Sequence, residues 1–127
     1  MDIISFNPTE SHRNIHSYRR EKSFDSQLSL IDLDAGREIA CVRFYWPRET
    51  VYCIVWIFSD KPASGYGKAG GGGYHKRSAA MGEALARAGV TLSKPIDGCG
   101  DAAMSDALLA LARHMGVTRP IVVRAHA

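Results

Sequence analysis

Between residues 61 and 77 the chain reads Lys-Pro-Ala-Ser-Gly-Tyr-Gly-Lys-Ala-Gly-Gly-Gly-Gly-Tyr-His-Lys-Arg. Six of the twelve glycines fall within 65–73, and the window carries Lys61, Lys68, His75, Lys76 and Arg77 without one acid. Glycine lets successive backbone N–H groups turn toward a single anion, and a helix N-terminus adds partial positive charge to the same place. The chemistry that suits these residue types is recognition of a phosphate-bearing ligand. The candidate ligand-binding set is Gly65, Tyr66, Gly67, Lys68, Gly70, Gly71, Gly72, Gly73, Tyr74, His75, Lys76 and Arg77. In this reading the amides of Gly70 to Gly73 form an anion nest, the cations supply charge, and Tyr66, Tyr74 and His75 stack on bases.

Known nucleotide fingerprints fit poorly. Gly65-Tyr66-Gly67-Lys68-Ala69-Gly70 matches G-x-G-x-x-G in form, but six residues separate the preceding apolar run from its first glycine. A dinucleotide loop needs a tight strand-to-helix turn and an acidic residue about 20 positions on, and neither is present. For a Walker A loop, Ala69 stands where Ser or Thr is required.

A second candidate is Cys99, in Asp97-Gly98-Cys99-Gly100-Asp101. A thiol just before a helix can act as a nucleophile when an imidazole takes its proton. His75, His114 and His126 are available, but spacing alone does not select among them. The plainer reading makes Gly98 and Gly100 a turn and Asp101 the helix N-cap. No spacing of His, Cys, Asp and Glu matches a metal site, and no cofactor is expected. No catalytic residue is assigned.

The elements around these residues follow from periodicity. Runs at 28–33, 38–46 and 51–58 are rich in β-branched and aromatic residues, with turn signals at 34–36 and 47–50. They predict a three-stranded antiparallel meander, with 51–58 apolar on both faces and hence central. In the middle run Ala40, Val42, Phe44 and Trp46 share one face, and Ile39, Cys41, Arg43 and Tyr45 the other. Met81, Ala84, Leu85 and Ala88 form a helical stripe closed by Gly89, and Met104, Leu108, Leu111 and Met115 form a second closed by Gly116. Gly82, inside the first helix, suggests close packing against the sheet. A strand over 120–125 ends the order. The fold class expected is α+β, a mainly antiparallel sheet with two helices packed on one face.

The organisation expected is a polar N-terminal arm, 1–26, followed by one α+β domain, 27–127. A net charge of +3 says little about nucleic acid by itself; the local concentration at 61–77 says more. No apolar run approaches the roughly 20 residues of a membrane span, and residues 1–20 carry scattered charge where a secretory signal would be apolar. Three cysteines without a C-x-x-C pair suggest a reducing, cytoplasmic setting, with Cys41 and Cys53 as buried hydrophobes. Arg119, Arg124 and His126 read as an ordinary solvent-facing edge.

The stretch 65–80, with Glu83-Ala84-Leu85, Ala88-Gly89 and Gly98-Cys99-Gly100-Asp101, resembles a small family of phage- and plasmid-borne bacterial proteins whose activity is not established. The resemblance runs from Val51 onward and carries over no site residue. It implies a mobile-element setting, in which small domains often counter host defence. Three functions follow as expectations. The first is a non-enzymatic protein binding nucleic acid or a nucleotide through the basic glycine-rich loop. The second is an anti-defence (anti-CRISPR-like) inhibitor docking on a host protein complex. The third is a small nucleotide- or nucleic-acid-processing enzyme using His75, Lys76 or Asp101 as acid or base.

Overall fold

A computed structural model describes residues 24–126, so most of the expected 1–26 arm lies outside the described residues. Strands β1 (Ser26–Asp32), β2 (Arg37–Tyr45), β3 (Val51–Ile57) and β4 (Ala63–Ala69) form a continuous meander. A 3₁₀ turn, Gly73–Lys76, leads into helix α1 (Arg77–Arg87), then helix α2 (Asp101–His114) and strand β5 (Ile121–His126). Every strand pairing is antiparallel, and the order across the sheet is β4-β3-β2-β1-β5. The α+β class with two helices holds; the sheet has five strands, one more than expected.

The extra strand is the glycine-rich segment. Glycine is a poor strand former, so composition alone predicts a loop over 65–70. Its pairing with β3, from Val51↔Ala69 to Ile57↔Ala63, overrides that preference. The reason is steric. Helix α1 crosses so close that a Cβ on Gly65 would lie 1.8 Å from the Ala84 carbonyl oxygen, and one on Gly67 2.1 Å from that of Ala80. Only glycine admits backbone at that distance.

The core lies between the helices and one sheet face. Leu28, Leu30, Val42, Phe44, Val51 and Val55 meet Met81, Leu85, Met104, Leu108 and Leu111, all essentially without exposure. Helix α1 runs along β4 and β3, and α2 covers β1 and β5. Alternation along β2 is interrupted by a bulge: Leu30 pairs with Ala40 and Ile31 with Glu38. The extra residue, Ile39, joins the helix-side core rather than the face of Cys41. The bulge also sets Glu38 beside the Ser29 hydroxyl, which donates to its carboxylate; burial still pushes the Glu38 pKa up.

Gly82 differs from Gly65 and Gly67. Nothing lies within 4 Å of its Cβ position, so it does not pack against the sheet, contrary to expectation. Gly65→Ala and Gly67→Ala are each expected to destabilise the fold by about 3 kcal/mol or more through displacement of α1. Gly82→Ala is expected to stabilise it by up to about 1 kcal/mol. Urea unfolding of the three variants checks both signs.

Candidate functional site

The glycine run after β4 turns back on the sheet. Gly71, Gly72 and Gly73 have φ of 83°, 155° and 50°, all in the region that favours glycine. The turn is tied down by its own amides: Gly72 and Gly73 both donate to the Glu49 carbonyl, at 3.0 and 2.6 Å, and His75 donates to Gly72 at 3.1 Å. The expected anion nest is therefore corrected at Gly72 and Gly73, whose N–H groups are already paired inside the protein.

Arg77 corrects a second expectation. Its side chain has no exposure and points into the molecule, not toward solvent. Nε and Nη2 donate to the Cys99 carbonyl at 2.9 and 2.6 Å, Nη1 to Ser26 Oγ at 3.0 Å, and Nη2 to Asp101 Oδ1 at 3.0 Å. Above it the Tyr74 ring centroid lies 4.3 Å from the guanidinium carbon, with Phe44 at 5.3 Å and Trp46 at 5.8 Å. Burying a guanidinium is costly unless its donors are met and its charge is compensated. Here three acceptors and three rings supply that environment. Asp101 is the first residue of α2 rather than its cap; Gly100 holds the N-cap position without a side-chain bond.

This clamp brings Cys99 beside the turn. Cys99 Sγ lies 3.8 Å from His75 Nδ1, across 24 residues of sequence. Of the three histidines available to this thiol, the structure selects His75. A thiol and an imidazole at this separation can exchange a proton, which is the first requirement of thiol nucleophilicity. Cys99 is half-buried, whereas Cys41 and Cys53 are buried as expected. Burial pushes the Cys41 pKa to about 12 and that of Cys53 well above the ordinary range, so neither is a nucleophile at neutral pH.

The rest of the predicted set divides between two surfaces. Because Gly65 and Gly67 face α1, Tyr66 and Lys68 face the opposite side of the sheet, where the Tyr66 ring stacks on Tyr52 at 6.3 Å. Lys68 is thus separated from the turn. Tyr74 (38% exposed), His75 and Lys76 remain together at the surface, flanked by exposed Arg48 and half-buried Trp46, whose ring meets Tyr74 edge-on at 5.4 Å. Arg119 is engaged with Asp32 at 2.6 Å. Arg124 lies on β5, at the sheet edge opposite β4, and does not extend the basic surface. Two shallow grooves, of about 210 and 270 Å³, flank residues 91–97 and are lined by none of the 65–77 residues. Among the described residues no three His, Cys, Asp or Glu side chains are placed to hold a metal ion, and no helix is long and apolar enough to cross a membrane.

Comparison with protein-family models, with curated proteins and with solved structures finds no match to this chain.

Two outcomes follow from this geometry. Arg77→Met, which keeps the apolar stem and removes every donor, is expected to cost about 2–4 kcal/mol in urea unfolding, because the Cys99 carbonyl loses its partners. In the native protein iodoacetamide is expected to label Cys99 and spare Cys41 and Cys53. His75→Ala should slow that labelling several-fold at unchanged urea midpoint, as followed by peptide mass spectrometry.

Proposed function

We propose that the protein is a non-enzymatic binding protein whose ligand carries phosphate, a nucleic acid or a nucleotide, and that the ligand docks on the 3₁₀ turn rather than in a nest of glycine amides. One observation supports this reading: Tyr74, His75 and Lys76 stand exposed side by side on a turn fastened from beneath by Arg77 and by the Glu49 carbonyl. A ring and two adjacent donors on a rigid support match a base and its phosphate. A stacked base contributes about 1–3 kcal/mol, and the cations add a salt-dependent share. Fixed side chains bind better than mobile ones because less ordering remains to be done at the moment of binding. The three free thiols and the likeness of 65–101 to mobile-element proteins fit a bacterial cytoplasmic setting.

The test is fluorescence anisotropy with short single-stranded DNA and RNA and with cyclic nucleotides, titrated with salt. Lys76→Gln and Arg48→Gln are expected to weaken binding and flatten the salt dependence, by about 0.7 in the log–log slope for each single-strand phosphate no longer neutralised. Lys68→Gln, on the other face, should leave binding unchanged. Absence of binding at low salt, or equal weakening with Lys68→Gln, would overturn the reading. Tight association with a host protein complex in its place would favour the inhibitor function.

The Cys99–His75 separation favours a second reading at the same corner, a thiol-dependent hydrolase in which His75 accepts the Cys99 proton as the sulfur attacks a phosphoester phosphorus. The P–O bond to the leaving alcohol breaks as that oxygen takes the proton from His75, and water then cleaves the P–S bond to restore the thiol. It predicts turnover of a nucleotide or nucleic-acid substrate that Cys99→Ser abolishes without weakening substrate binding.

A further inference from the structure

Cys99 and His75 bring two metal-seeking atoms to one point at the surface. Cys99 Sγ lies 3.8 Å from His75 Nδ1, although 24 residues separate them in sequence. Both residues are held through their main chains. The Cys99 carbonyl accepts two bonds from Arg77, at 2.9 and 2.6 Å, and the His75 amide donates to the Gly72 carbonyl at 3.1 Å. Access is open, since Cys99 is half-buried and His75 exposed. A thiolate sulfur and a neutral imidazole nitrogen are both strong donors to soft metal ions.

We propose that Cys99 and His75 together form a binding site for a soft monovalent cation, copper(I). Thiolate suits copper(I) and zinc, and imidazole suits both metals as well. Zinc asks for three or four protein donors, and among the described residues no third His, Cys, Asp or Glu joins this pair. Copper(I) is stable with two. Bonds of about 2.3 Å to sulfur and about 2.0 Å to nitrogen span at most about 4.3 Å. The observed 3.8 Å already lies within that reach. Opening it to the linear arrangement a two-coordinate ion prefers takes about 0.5 Å more, a small turn of an exposed imidazole. Charge selects the same ion. Buried Arg77 and exposed Lys76 already make this corner positive. A monovalent ion that replaces the thiol proton leaves the net charge unchanged, whereas a divalent ion adds a unit of repulsion. The exchange balances: the S–H bond breaks, its proton passes to water, and S–Cu and N–Cu bonds form with no change of oxidation state. Cys41 and Cys53 are buried and do not compete. The site requires neither Tyr74 nor Lys76, so it stands whether or not a nucleotide docks on the turn.

Anaerobic competition for copper(I) between the full chain and bicinchoninate tests the proposal, read from the colour of the bicinchoninate complex. The unaltered protein is expected to withdraw one equivalent. Cys99→Ser is expected to abolish that uptake, and His75→Ala to weaken it at least ten-fold, each at an unchanged urea midpoint. Uptake as tight in His75→Ala as in the unaltered chain would mean a thiol acting alone and would refute the pair. No uptake at all, or uptake that survives Cys99→Ser, would refute the site. Should either variant fail to fold, the unaltered chain decides the matter. One equivalent of copper(I) is expected to slow iodoacetamide labelling of Cys99 at least ten-fold. X-ray absorption at the copper edge is expected to find one sulfur and one imidazole nitrogen as nearest neighbours. Labelling that is not slowed, or a nearest shell lacking either atom, would overturn the proposal.

Discussion

One guanidinium fastens parts of this chain that lie far apart in sequence. Arg77 sits at the first position of α1, yet its donors reach Ser26 at the start of β1 and the Cys99 carbonyl just before α2. Helix α1 is thereby fixed to the sheet and to the entry of the next helix at one point. A buried charge of this kind is tolerated because it is surrounded: carbonyl and hydroxyl oxygens meet its donors, and aromatic rings pack around its carbon. The Asp101 carboxylate completes the set, but at 67% exposure its pairing is screened by water. The strength of the clamp lies chiefly in the two bonds to the Cys99 carbonyl, which removal of the guanidinium would leave without these donors.

The glycine-rich segment performs two unrelated tasks on either side of Gly70. Before it, absence of a side chain lets a strand run beneath α1 at a separation no other residue permits. After it, positive φ values at consecutive positions fold the chain onto the Glu49 carbonyl. Neither task requires a ligand. What faces outward after both are done is a short row, Tyr74, His75 and Lys76, placed beside Cys99 by the clamp beneath.

Much of the fold was legible because it is locally encoded. Runs of β-branched and aromatic residues marked β1, β2 and β3, and the apolar stripes ending at Gly89 and Gly116 marked both helices with their stops. The features that escaped are those settled by distant partners. A strand made of Ala-Ser-Gly-Tyr-Gly-Lys-Ala carries no local strand signal, and only the approach of Ala80 and Ala84 explains it. The bulge at Ile39 adds one residue to an otherwise regular alternation and has no signature in composition. Arg77 looked like the last of a cluster of surface cations, since nothing in its neighbourhood announces three acceptors at positions 26, 99 and 101. The pairing of Cys99 with His75 rested on the same hidden contact.

That contact also bears on how the corner would bind. A run of four glycines left free would lose much conformational entropy on meeting a ligand, about 1–2 kcal/mol for each residue fixed. Here that ordering happens during folding, offset by the bonds to Glu49 and by the packing of Tyr74 over Arg77. Tyr74 is thus held from below by a cation and from the side by Trp46, leaving its outer surface for a guest. A ring in that position is stiff, and stiffness is what a small contact area needs if it is to hold anything at all. The same arrangement explains why charge at the corner is sparse: with Arg77 committed to the interior, the exposed cations among the described residues there are Lys76 and Arg48.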